Sequence, residues 1–338
     1  EATKEEEIKE EKIEAGAEVV EEEVIEEEET VEEVVEEETE PVISDDLPES
    51  DFEGYEFVIF NSNPETNTWF TTVHVDVDED SGDAIPSAIF NRNLKVEERM
   101  NIKITETEQT ADQIKNTILA GDGSFDMSLM QGANILAHAQ AGYLLDLHTL
   151  PYLNFEKPYW DANAVEQLSL CNKLFVGVGD FLTTQIDETI CMFFNKGLID
   201  DHNLDNPYEL VENGTWTLDK FAEMASITGN DTNGDGIYDT KDNYGMMSWR
   251  GVFYMFLLNG CGNTLIEKDT DDIPVFTFYN EEFVNSYEKI LSIIHGESKI
   301  YFDAEKDAND HRVQEIMFPA NQVLFWSECI SWAKALRE

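Results

Sequence analysis

The chain has 338 residues, enough for one large or two medium domains, and sets 73 Asp and Glu against 21 Lys and Arg for a formal net charge of −52. That balance excludes a nucleic-acid partner, whose phosphates need Lys and Arg to displace their counterions, and a basic membrane-facing surface. No run of 18 apolar residues is present, so no membrane-spanning helix is predicted.

The first element in chain order is a charge block. Residues 1–40 hold 21 Glu and three Lys and no aromatic residue. Such a segment cannot bury enough apolar surface to offset its ordering entropy, and its like charges extend it. Residues 1–50 therefore read as a disordered Glu-rich tether. The chain opens on Glu rather than Met, as it would after removal of an export segment.

From Gly54 strands and helices alternate. "YEFVIFN" reads as a strand, "SAIFNRNLKVEERMN" has apolar residues at helical spacing, and "IKITETE" alternates as a strand does. "ADQIKNTILAGDG" is a helix stopped by glycine, "FDMSLMQ" a strand, and "ANILAHAQAG" a second glycine-stopped helix. "NKLFVGVGDFLTTQIDETICMFFNKGLID" reads as two strand-like runs and a helix start. "TWTLDKFAEMASI" is a helix with Thr217 as N-cap, "YGMMSW" a strand, and "RGVFYMFLLNGCG" an apolar helix closed by glycines. "IPVFTFYN", "EEFVNSYEKILSIIHG" and "NQVLFWSE" continue as strand, amphipathic helix and strand. The class is α/β with a mainly parallel sheet.

Between the Thr217 helix and the next strand lies "DTNGDGIYDTKD". It fits the register of a calcium loop with oxygen ligands at positions 1, 3, 5, 7, 9 and 12 and glycine at 6. Those ligands are Asp231, Asn233, Asp235, the Ile237 carbonyl, Asp239 and Asp242, with Gly236 at the turn. The last ligand is Asp rather than the usual bidentate Glu. The competing reading is an Asx-rich surface turn. Calcium here would be structural, neutralising carboxylates that otherwise repel.

Four cysteines (Cys171, Cys191, Cys261, Cys329) lie far apart with apolar neighbours and no CxxC pair, which reads as buried thiols rather than zinc or a required disulfide framework. The six histidines show no metal-ligand spacing, and His138 and His148 read as surface or capping groups. No GxSxG elbow, HExxH pair or phosphate-cradling glycine loop occurs, so nothing points to catalysis.

In open α/β sheets ligands bind beyond the carboxyl ends of strands. The polar and aromatic residues there are Asn61, Asn63, Gln131, Asp180, Phe181, Trp249, Arg250, Trp326 and Glu328. Sugars need flat aromatic faces for their C–H patches and forked polar groups for their hydroxyls, and Trp249–Arg250 offers both. A core role is the rival for each tryptophan, more so for Trp69, Trp160 and Trp326, and Phe194 reads as core.

The ordered series of motifs resembles the extracellular solute-binding proteins of ABC importers, family 1, the sugar-binding type. "ILAGDGSFDMSLMQGANILAHAQAGYLLDL", "NKLFVGVGDF", "CMFFNKGLID" followed by "NGTWTLDKFAEMA", and "DTNGDGIYDTKDNYG" carry the likeness. It implies a two-lobed periplasmic-binding-protein-like (type II) clamp: an N-terminal lobe over 51–180, a C-terminal lobe over 181–320 holding the loop 231–242, and a hinge strand with the start of the return over 321–338. Members continue further, so the likeness implies a C-terminally truncated chain. It also implies a non-catalytic monomer that binds a mono- or oligosaccharide and delivers it to an ABC permease. Its place would be the surface of a Gram-positive-type bacterium, lipid-anchored through the acidic tether. By the same likeness Trp249 opens a helix whose aromatic stacks on sugar. A secreted calcium-stabilised carbohydrate-active hydrolase or an adhesion module is the alternative.

Overall fold

The computed structural model describes residues 43–62, 74–77, 82–182, 184–297, 299–302, 313–334 and 336. Asn63, Trp69 and most of the Glu-rich tether lie outside the described residues. Asp46–Glu338 is one unit, apart from Glu1–Asp45.

Its first part alternates strand and helix as the sequence pattern predicts. β1 (Tyr55–Asn61) leads to α1 (Ala84–Met100), β2 (Ile102–Glu108), α2 (Ala111–Ala120), β3 (Met127–Leu129) and α3 (Gly132–Gln140). Each helix starts or stops for a local reason. Asn101 ends α1 in the left-handed region at φ 50°. Thr110 and Gln113 form a reciprocal capping box at the start of α2, and Gly121 at φ 65° ends it. The three strands make a parallel sheet in the order β2-β1-β3, with Tyr55 opposite Ile102 and Ile59 opposite Met127. Ile59, Phe60 and Ile114 are buried against it.

A connecting stretch follows, holding α4 (Ala162–Leu168) and α5 (Thr184–Asp187). The strand expected over "NKLFVGVG" is reduced to two isolated bridges, Leu170 to Lys173 and Trp160 to Gly179. Gly179 is packed so closely that a Cβ would collide with the Tyr159 carbonyl. The apolar run supplies packing for Trp160 rather than a ladder.

The second sheet is mixed, in the order β4-β9-β5-β8. β4 (Ile190–Phe194) is followed by α6 (Lys196–Asp201), α7 (Pro207–Glu212), α8 (Leu218–Thr228), β5 (Tyr244–Ser248) and α9 (Arg250–Gly260). Then come a two-stranded hairpin, β6 (Ile266–Lys268) with β7 (Pro274–Phe276), α10 (Glu281–Ile294), β8 (Ile300–Phe302) and β9 (Val323–Cys329). β5 runs parallel to β8 and β9, and β4 antiparallel to β9. The Thr217 hydroxyl accepts the Lys220 N–H at 3.1 Å, which starts α8 where the sequence places it.

The central strands "VLFW" and "YGMM" are buried throughout, the near-continuous apolar pattern of a sheet covered on both faces. One cluster joins Phe221, Met224 and Ala225 of α8 to Phe253, Leu257 and Leu258 of α9, Ile290 and Ile293 of α10, and Met246 and Phe325 of the sheet. A second gathers Tyr244, Met247, Tyr301, Val323 and Trp326 with the short helix Val313–Met317. Each such side chain contributes about 1.5–3 kcal/mol on burial.

Lys268 ties two distant turns together. Its ammonium reaches Asp272 at 2.9 Å, the Ser169 hydroxyl at 2.8 Å and the Glu166 carbonyl. Asp272 also accepts the Asn172 N–H, and its carbonyl accepts the Cys171 N–H. That turn puts Cys171 at φ 53° and exposes it, against the expectation of a buried thiol. All four cysteines are free. His138, read as a surface or capping group, is buried beside Tyr143.

Candidate functional site

β5, β8 and β9 are parallel, so their carboxyl ends share one edge of the second sheet. Trp249 follows β5 as N-cap of α9, and Glu328 lies at the end of β9. The Trp249 indole N–H donates to Glu328 Oε2 at 2.6 Å. The other carboxylate oxygen, Oε1, accepts the Cys329 N–H at 3.1 Å. Glu328 is 9% exposed, and burial pushes its carboxyl above the ordinary range; hydrogen bonds from the Cys329 N–H, the Trp249 indole and the Cys329 thiol oppose that push, and the nearby Glu188 charge adds to it. The Cys329 thiol donates to Glu188 at 3.2 Å and is pushed up by burial and that carboxylate. Burial likewise pushes up the Cys191 thiol. Both shifts disfavour the thiolate, the form in which a thiol attacks.

The first sheet has its own polar edge. Asn61, 2% exposed at the end of β1, donates to Glu106 at 2.7 Å. The other Glu106 oxygen accepts the N–H groups of Val75 and Asp76 at 2.7 and 3.1 Å, and the His74 ring lies 3.4 Å from the carboxylate. Buried Asn93 of α1 donates to the Val75 carbonyl and to Asp76, whose carboxyl burial pushes up. Arg92 donates to Asn93, to the Val75 carbonyl and, at 3.3 Å, to the Phe181 carbonyl, so it binds the connecting stretch to α1. Glu106, Asn93, Arg92 and Asp76 were not singled out by the sequence. The available signal was Glu106 two and four residues after Ile104 and Ile102, a carboxylate in an apolar register.

The structure thus joins Asn61 to Glu106, Phe181 to Arg92 and Trp249 to Glu328. Phe181 also meets Trp160 edge-on, with ring centroids 6.0 Å apart. Gln131 is the N-cap of α3 and makes no side-chain cap bond. Asp180 is exposed in the turn after Gly179. Arg250 opens α9. Trp326 is fully buried between Phe193, Phe318 and Trp332, so it is a core residue and not a binding surface. Phe194 packs against the core and Tyr208, as expected.

In the acidic loop each carboxylate meets the loop's own amides. Asp231 accepts from Gly234 and Gly236, Asn233 from Asp235, Asp235 from Ile237, and Asp239 from Lys241. Asp242, fully buried, accepts from Thr232 and Asp239 at 2.9 Å each. A bridge between Asn230 and Asn243 pinches the loop shut, and Gly234 and Gly236 take φ 72° and 78°, the left-handed region that the sharp turn needs. Among the described residues no three His, Cys, Asp or Glu side chains gather as a metal-holding group. The backbone frame and the hard-oxygen donor set suit calcium; the side chains stand in Asx turns.

No protein-family model matches the chain, and no curated protein sequence does. Solved structures do match in fold. An extracellular solute-binding protein from Staphylococcus aureus in complex with maltose aligns at TM-score 0.52 and 17% identity, over 86% of this chain and 64% of that one. A cyclo/maltodextrin-binding protein complexed with maltotetraose aligns at 0.52 and 12%, over 82% and 61%. UspC of M. tuberculosis aligns at 0.50 and 13%, over 83% and 64%. The fold is therefore the two-lobed, mainly parallel α/β fold of periplasmic-binding-protein-like proteins. The chain spans just under two thirds of the length of these structures.

Proposed function

We propose that the chain is the solute-binding component of an ABC importer, taking up a mono- or oligosaccharide without reaction and handing it to a membrane permease. The carrying observation is Trp249, an aromatic ring at the carboxyl edge of a parallel sheet, hydrogen-bonded there by a buried carboxylate. An aromatic face at a strand's carboxyl end is the kind of surface on which the C–H patches of a sugar stack. The fold neighbours with maltose and maltotetraose support the carbohydrate class. The raised pKa of the Cys191 and Cys329 thiols, which disfavours their thiolates, supports binding over chemistry.

On the same reading the protein works as a monomer outside the cell, tethered to a lipid anchor by its acidic N-terminal segment. Among the described residues no helix is long and apolar enough to cross a membrane. Calcium would be held by Asp231, Asn233, Asp235, Asp239, Asp242 and the Ile237 carbonyl, where it would neutralise the loop and stabilise the turn between α8 and β5.

The test is thermal unfolding against maltose, maltotetraose and a panel of other saccharides, with chromatography of the mixture. A ligand that binds only the native state raises the melting temperature by mass action. A rise with one sugar class and no new product is the expected result. Product formation would replace the transport reading with a hydrolase. No rise with any saccharide would overturn the carbohydrate class.

A further inference from the structure

The carboxylate of Glu328 sits where a sugar-hydroxyl acceptor would be sought, yet the protein itself engages both of its oxygens. Oε2 takes the Trp249 indole N–H at 2.6 Å and Oε1 takes the Cys329 N–H at 3.1 Å. The group is 9% exposed at the end of β9, whereas Trp249 is only half-buried. A bond from an N–H to a carboxylate is charge-assisted and stronger than one between neutral groups. An indole has one N–H, on the ring edge, and a bond there fixes the plane of the ring about its two side-chain torsions.

We propose that Glu328 is a positioning residue: it does not touch the solute but locks the Trp249 indole plane at the mouth of β5 and β9, so that the ring face meets an uncharged sugar. This rests on the solute-binding reading above. The Trp249 indole and the Cys329 N–H reach different oxygens of Glu328, and only a carboxylate offers an acceptor oxygen to each. Glutamine, with the same shape, has one carbonyl oxygen and one amide that is itself a donor. Glu328→Gln therefore either loses the indole bond or keeps it only as a weaker bond to a neutral amide oxygen at the expense of the Cys329 bond, and in both cases the indole is held less firmly. The preference for a neutral ligand follows as well, since a free anion near Glu328 would meet its charge and that of Glu188.

The test uses the full chain and the variants Glu328→Gln, Trp249→Phe and the double variant, with maltotetraose as probe. In the parent protein, the indole N–H assigned by its loss in Trp249→Phe is expected downfield of exposed indoles and slow to exchange with solvent. Exchange as fast as that of an exposed indole overturns the proposal without need of any variant. In Glu328→Gln the resonance is expected to move and its exchange to quicken; an unmoved resonance overturns it. For affinity, each single variant is expected to lose about tenfold, the size of one displaced aromatic contact. The double variant should lose no more than Trp249→Phe, because Glu328 acts through the ring. Losses that multiply mean direct contact between Glu328 and sugar and overturn the proposal. If the parent does not bind maltotetraose, the reading of this ligand fails, while the resonance and exchange data still decide the role of Glu328.

Discussion

Glu328 carries a proton-linked consequence. Burial, opposed by hydrogen bonds from the Trp249 indole and from the Cys329 N–H and thiol and aided by the Glu188 charge, holds its carboxyl above its ordinary 4.5. The unfolded chain therefore releases this proton first as pH rises. The stability contributed by the group is full below 4.5 and is lost as pH climbs through the folded-state value. Glu328→Gln removes that slope. In melts from pH 4 to pH 7 the difference, parent minus variant, is expected to shrink as pH rises. The neighbouring Cys191 and Cys329 thiols stay protonated over that range and do not contribute. A difference that is flat or grows with pH would show that the carboxylate is not destabilised by its burial. At this scale the sequence was half legible. Trp249 and Glu328 stand out as polar and aromatic residues after strands, but nothing local says that one holds the other. Trp326 carries the same signal two residues earlier and is core, because Phe193, Phe318 and Trp332 enclose its ring.

Elements were the most legible level, because caps and periodicity are local. Thr110, Gly121 and Thr217 act where their types predict. The misses are tertiary. Ile300–Phe302 is too short to announce itself, yet becomes β8 because β5 offers it an edge. "NKLFVGVG" has strand composition, but only Lys173 and Gly179 find isolated bridge partners. The Glu106–Asn93–Arg92 network was hidden for the same reason, since residues 74–76 reach it from outside its own strand and helix. The loop Asp231–Asp242 is an element whose frame the sequence predicts, and its calcium is testable directly. With millimolar calcium the melting temperature is expected to rise, and with chelator to fall back. Asp231→Asn with Asp235→Asn should abolish that difference. Equal melting temperatures with calcium and with chelator would leave the loop as a self-bonded Asx turn.

For the whole molecule the dominant quantity is charge. A formal charge of −52 on a chain of pI about 4.1 opposes compaction, since far fewer cations than anions are available to pair. Raising NaCl from about 10 mM to about 150 mM shortens the screening length from about 30 Å to about 8 Å. The melting temperature is expected to climb over that interval, most steeply at the low end. An unchanged melting temperature would mean that the excess carboxylates lie too far apart to repel. Only composition is needed for this prediction, which is why it is legible from sequence alone. The arrangement of two sheets is legible from strand and helix order together with the motif series. The place of each strand within its sheet is not.

That placement bears on the order of events as the chain folds. In the first sheet β1 lies between β2 and β3, which follow it in the chain, so among the described residues all its strands have been made once Leu129 is reached. In the second, β9 lies between β4 and β5. From Phe194 until Val323 the antiparallel partner of β4 does not exist, and β5 has only β8 beside it. The first sheet can assemble early from neighbours in sequence, whereas the second closes in one late step that joins distant segments and carries the larger loop entropy. The strand that joins the most distant segments is thus β9, the same strand whose end carries Glu328.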